Sequence, residues 1–149
     1  MREGFITSLK EAMKAGDKMK VATLRLMQAA IKDKDIEARG LGKTVSNDDI
    51  LALLQKMVKQ RQESLGIFEK AGREDLATQE RSEIAIINTF LPTQLDDTAA
   101  RAAIAAAIAE TGAVGIKDMG KVVAALKLKY SGQMDFSKAS GLVKAALTG

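Results

Sequence analysis

The chain is expected to fold as an all-α protein, and three features of its 149 residues predict this. Proline occurs once, aromatic residues make up 3%, and β-branched runs bounded by turn residues are scarce, so strands have little to be built from. Apolar residues instead recur at three- and four-residue spacing along most of the chain. Hydrophobic residues amount to 46%, enough for a packed core.

The elements follow in order. Phe5, Leu9 and Met13 repeat every four residues in a first short helix that should stop at Gly16, with Asp17 placed to cap the next. From Lys18 to about Arg39, Val21, Leu24, Met27 and Ile31 mark one face. Ala22, Leu26, Ala29 and Ala30 widen it enough to be gripped from two sides, which predicts a central helix. Residues 40–45 read as a loop. Ser46 and Asp49 then form a capping box with Asp in place of the usual Glu.

A long helix carries Ile50, Leu53, Leu54, Met57, Val58, Arg61, Leu65 and Phe68 to a stop at Ala71-Gly72. Residues 74–91 give the next, with Leu76, Ile84, Ile87 and Leu91 inward and Pro92 closing it. The dense mixture of signs from Lys56 to Glu83 predicts ion pairs between these two helices. The chain should therefore divide into a larger N-terminal helical domain, residues 1–93, and a small three-helix C-terminal domain, residues 94–149. In the second, Asp97-Thr98 should cap an alanine-rich helix ending at Gly112. Asp118 and Asp135 should cap the last two, the final one turning Phe136, Ala139, Leu142, Val143 and Leu147 inward.

Composition removes whole classes of chemistry. With no cysteine and no histidine, disulfides, thiolate metal sites, zinc sites and histidine-based catalysis are set aside. No other set of side chains stands at a spacing that suggests catalysis. No catalytic residue, metal or cofactor is expected. No 18-residue apolar run is present, and the start MREGFITSLKEAMK lacks the apolar core of a signal peptide, so a cytoplasmic address without membrane contact is expected.

Charge distribution supplies the functional clue. The net charge is +4, and residues 112–149 carry six lysines against Asp118 and Asp135. Asp118-Met119-Gly120-Lys121 and Asp135-Phe136-Ser137-Lys138 are two similar helix starts: an aspartate, an apolar anchor, a small residue, then a lysine. The first turn of a helix already carries positive potential, so a lysine there is slightly unfavourable unless an anion faces it. The same pattern also describes two ordinary capped starts with solvated lysines. One tyrosine and no tryptophan cannot build the aromatic platforms used for single strands, so a structured RNA contacted through backbone and shape fits better. Tyr130 reads as a partly buried packing residue.

The segments KQRQESLGIFEKAGREDLATQERSEIAIINTFLPTQL (59–95) and GIKDMGKVVAALKLKYSGQMDFSKASGLVKAAL (115–147) resemble the YqeY family, the stand-alone form of the GatB/YqeY domain, over essentially the whole chain. Leu128 departs from the proline that many relatives carry there. The resemblance implies two helical parts, the second similar to the tail of the GatB subunit of the tRNA-dependent amidotransferase, which is associated with the tRNA elbow. On this sequence it implies an RNA-facing segment from Gly115 to Lys121. Lys117, Gly120 and Lys121 are then the candidate RNA-binding residues, with Lys138 and Lys144 nearby. The expected partner is tRNA, together with an aminoacyl-tRNA synthetase or amidotransferase, and no DNA. Two other functions stay open: a carbon-nitrogen ligase component using glutamine as amide donor, and a protein-binding adaptor without RNA contact.

Overall fold

The computed structural model describes residues 1–148. Among them the chain is all-helical, with seven α-helices, one 3-10 turn and no strand. The helices are α1 (Arg2–Ala15), α2 (Lys18–Gly40), α3 (Asn47–Lys70), α4 (Glu74–Asn88), α5 (Asp97–Thr111), α6 (Met119–Tyr130) and α7 (Phe136–Thr148), with the 3-10 turn Ile116–Asp118 leading into α6. They form two compact units, Met1–Leu91 and Pro92–Gly149.

In the first unit, α1 ends where Gly16 takes a left-handed conformation, φ 71°, which a side chain would resist. The Asp17 carboxylate accepts the Lys20 N–H at 3.1 Å and starts α2. Helix α2 packs against α1, α3 and α4. Its Leu24 and Met27 are completely enclosed together with Ile50 and Leu54 of α3 and Ile87 of α4. Phe5 joins this core from α1 and meets Phe90, the ring centroids 4.7 Å apart. Each such side chain contributes about 1.5–3 kcal/mol by leaving water. The Ser46–Asp49 capping box is present: the Ser46 hydroxyl accepts the Asp49 N–H at 3.1 Å and the Asp49 carboxylate accepts the Ser46 N–H at 2.9 Å.

The packing corrects several expectations. Met13 is 54% exposed, and Ala12 is buried in its place, because α1 turns Ala12 rather than Met13 toward its neighbours. Ala22, Leu26 and Ala29 face solvent, so α2 is gripped along one face and leaves the other open. Helix α4 ends at Asn88 rather than Leu91, where the Thr89 hydroxyl donates to the Ile86 carbonyl at 2.6 Å.

In the second unit, α5, α6 and α7 each pack against the other two. Ile104, Val122, Leu126, Met134 and Val143 form the core, with Ala103, Ala107 and Ala139 letting the helices approach closely. Asp96, not Asp97, caps α5 by accepting the Ala99 N–H at 2.7 Å, one residue earlier than expected. Gly112, φ 66°, ends that helix. Asp135 caps α7 through the N–H groups of Ser137 and Lys138, at 3.0 and 3.3 Å.

Candidate nucleic-acid interface

The segment between α5 and α6 is built differently from a simple cap. The Asp118 carboxylate turns back to accept the Val114 N–H at 3.1 Å and makes no side-chain bond to the first turn of α6. The Asp118 N–H bonds the Gly115 carbonyl at 2.9 Å, so residues 114–118 close into a tight turn. The Val114 N–H, and after it the charges of Lys121 and Lys117, hold the Asp118 carboxyl below the usual carboxylate range. Lys117 and Lys121 thus share a field with one carboxylate.

Lys117, Gly120 and Lys121 are all exposed on this turn and the start of α6. A Cβ built at Gly120 would meet nothing within 4 Å, so the space beside this residue is open to an approaching surface, while the Met119 N–H already donates to the Ile116 carbonyl. Two residues beside them were not anticipated: Val114 is 81% and Ile116 47% exposed. The signal for them was present in Val114-Gly115-Ile116, two large apolar residues outside any helical period.

Lys138, by contrast, is not a free cation. Its Nζ lies 3.1 Å from Asp97 Oδ1, at the first turn of α5. Helix α5 therefore acts as a ruler inside this unit. Its beginning is tied to the start of α7 by Lys138–Asp97, and the residues just after its end are tied to the start of α6 by Val114–Asp118. A helix of 15 residues is about 22 Å long at 1.5 Å per residue. The two lysine-bearing helix starts stand at opposite ends of that length and do not form one tip.

Lys144 is exposed on the second half of α7, the helix against which the 3-10 turn also packs. Lys127 and Lys129 occupy the last turn of α6, where cations complement the helix dipole, and Lys129 Nζ sits 5.7 Å from the Tyr130 ring centre. Tyr130 is half-buried against the core, as the sequence suggested. Leu128 between them is 89% exposed. No group of three or more acidic side chains among the described residues could hold a metal ion. What this surface offers is positive charge, open space at a helix start and a little apolar area, the means of holding a polyanion.

A family model described as Yqey-like protein matches residues 2–147. The chain belongs to the YqeY family. Curated relatives of this YqeY-family chain are named Altered inheritance of mitochondria protein 41, mitochondrial. The protein of that name from Vanderwaltozyma polyspora is 35% identical over 88 residues, 59% of this chain and 46% of the relative. That from Lachancea thermotolerans is 39% identical over 83 residues, 56% of this chain and 43% of the relative. That from Saccharomyces cerevisiae strain YJM789 is 35% identical over 83 residues, again 56% of this chain, and 44% of the relative. The matched region thus spans less than half the length of these relatives.

These names correct the expected cytoplasmic address, since the relatives are mitochondrial proteins. The physical reason is plain. Composition and apolar run length bear on membrane spans and secretion, whereas other compartments are reached through receptor-read segments that leave no mark on a helical core. Among the described residues, no single helix is long and apolar enough to cross a membrane.

Proposed function

We propose that this chain is a tRNA-binding accessory protein whose second unit contacts the elbow of folded tRNA. The observation that carries the reading is the exposed cluster Lys117, Gly120 and Lys121, where two lysines flank the open space beside Gly120. Phosphates are drawn to cations and to first-turn amides together, and such contacts position a protein without reading base sequence. Exposed Val114 and Ile116 supply apolar surface beside the charges, suited to nucleotides that a tight RNA fold turns outward. The resemblance of residues 115–147 to the GatB tail supports the same assignment.

Lys121 and Lys117 are the primary contacts in this reading. Lys144 extends the surface along α7, and Lys138 contributes only when Asp97 releases it. The function is affinity and placement, so that a synthetase or amidotransferase acts on the tRNA while this chain holds its outer corner. The test is fluorescence anisotropy with whole tRNA and with an acceptor-stem minihelix that lacks the elbow. Binding of the whole tRNA that weakens with salt and with Lys117→Glu/Lys121→Glu supports the assignment. Equal binding of the minihelix, or indifference to both substitutions, overturns it.

A further inference from the structure

The first unit leaves a groove between α1 and α2 uncovered. It encloses about 400 Å³, and Ala12, Met13, Val21 and Ala22 give it an apolar floor, while Lys18 and Arg25 stand on its rim. Along α2 the apolar surface continues through Leu26 and Ala29, both exposed, as far as Asp33, with Ile36 one turn beyond. Met13, Leu26 and Ile36 are 54%, 48% and 56% exposed. Lys18 and Asp33 make no ion pair among the described residues.

This face is complementary to itself. Place a two-fold axis across α2 midway between Arg25 and Leu26, with a second α2 running antiparallel. Residues equidistant from the midpoint then lie opposite one another: Ala22 meets Ala29 and Lys18 meets Asp33, while Leu26, half a residue or about 0.75 Å along the helix from the axis, lies beside its own copy. Ile36 falls level with the turn after α1, where Met13 and Ala12 line the groove. A hundred degrees of rotation per residue keeps Lys18, Ala22, Leu26, Ala29, Asp33 and Ile36 within about 80° of arc, one face of the helix. Ala22 and Ala29, about one turn to either side of the crossing, are small enough for the axes to approach to about 8–10 Å.

We propose that a second copy of this chain covers the face, forming a two-fold antiparallel α2–α2 dimer. A contact that joins the same patch on both copies is isologous and closes on itself, so assembly stops at two. Each copy supplies one Lys18 and one Asp33, which makes two ion pairs, and each inserts Ile36 beside the other's Met13. The two Arg25 side chains approach each other at the opposite rim, in solvent, and keep the association reversible.

The test uses the absence of cysteine in this sequence. Leu26→Cys places the only thiol of each 149-residue chain beside the two-fold axis, so a glutathione redox buffer should link two copies rapidly. Ile67→Cys, on α3 and 66% exposed, controls for chance collision. Lys18→Asp or Asp33→Lys in the Leu26→Cys background sets like charges against each other and should slow linkage at least about tenfold. The combined swap Lys18→Asp/Asp33→Lys should restore it, because each new lysine again faces a new aspartate. These positions are solvent-exposed, and unchanged helical circular dichroism verifies the fold of each variant. Linkage of Leu26→Cys no faster than of Ile67→Cys overturns the proposal. So does a swap that fails to restore the rate, or a photo-crosslinker at residue 26 that captures a different protein in cells.

Discussion

Arg61 Nε donates to Glu83 Oε2 at 3.0 Å across the α3–α4 contact, and the pair is more enclosed than any other ion pair among the described residues, with 16% and 10% of the two side chains exposed. Arg61 also donates to the Met57 carbonyl at 3.2 Å, which fixes the guanidinium along its own helix. Truncating one partner strands the other charge out of water. Arg61→Ala and Glu83→Ala should each cost about 3–5 kcal/mol in urea unfolding, while the apolar double substitution Arg61→Met/Glu83→Leu should cost far less than their sum. Equal losses in all three variants would show that the pair holds no buried charge.

Glu80 lies beside this pair and makes no ion pair with Arg61. Its Oε2 is buried without a hydrogen-bond partner, and its pKa is raised by burial first and by the charge of Glu83 second, with Arg61 opposing. A carboxyl whose pKa is higher folded than unfolded supports the fold while protonated, and that support disappears as pH rises through the folded value. Glu80→Gln should therefore unfold at higher urea concentration than the parent at neutral pH, its amide presenting a donor toward Glu83. The difference should shrink as pH falls below the ordinary glutamate value of 4.5. A constant difference across that range would mean that ionisation of Glu80 plays no part.

The Ser46–Asp49 box behaves in the opposite sense. Asp49 is held below the usual carboxylate range, first by the Ser46 N–H and then by its hydroxyl. A depressed carboxylate stabilises the fold above its unfolded pKa and loses that contribution as pH falls through the folded one. Ser46→Ala should cost about 1 kcal/mol at pH 7, and Asp49→Asn should approach the parent's stability in acid. Thermal unfolding between neutral pH and pH 3 checks both.

Caps of this kind were legible in the sequence because they are local. Gly16, Asp17, Ser46, Asp49, Gly112 and Asp135 act within four residues of where they stand, and the chemistry of each side chain leaves few alternatives. What the sequence could not disclose depends on what lies opposite. Ala12 and Ala77 are buried because a neighbouring helix comes close, and although the mixture of charges predicted ion pairs between α3 and α4, it did not single out Glu83 as the buried one opposite Arg61. Periodicity ranks residues by hydrophobicity, so it selected Met13 and Leu26, which are exposed, and passed over these three. The candidate interface was readable as residues and not as geometry. Asp118 was expected to bond forward into α6 and instead bonds back to Val114, and Lys138 has a partner 41 positions away that no spacing rule connects to it.

That partner makes the lysines of the proposed RNA surface unequal. Lys121 and Lys117 share the field of Asp118, whose carboxylate is already occupied by an N–H group, whereas Lys138 is held directly by Asp97. Both members of the Lys138–Asp97 pair are well exposed, 63% and 77% of their side chains, so the pair is worth at most about 1 kcal/mol to the fold. An RNA phosphate must displace Asp97 before it gains Lys138. Lys121→Ala should therefore weaken tRNA binding more than Lys138→Ala and should lower the slope of log affinity against log salt by about one phosphate contact. Asp97→Asn releases Lys138 and should tighten binding, most clearly at low salt, with thermal stability nearly unchanged. Anisotropy titrations of the three variants at several salt concentrations decide the matter. If Lys138→Ala proves as damaging as Lys121→Ala while Asp97→Asn has no effect, the pairing does not govern access to the RNA.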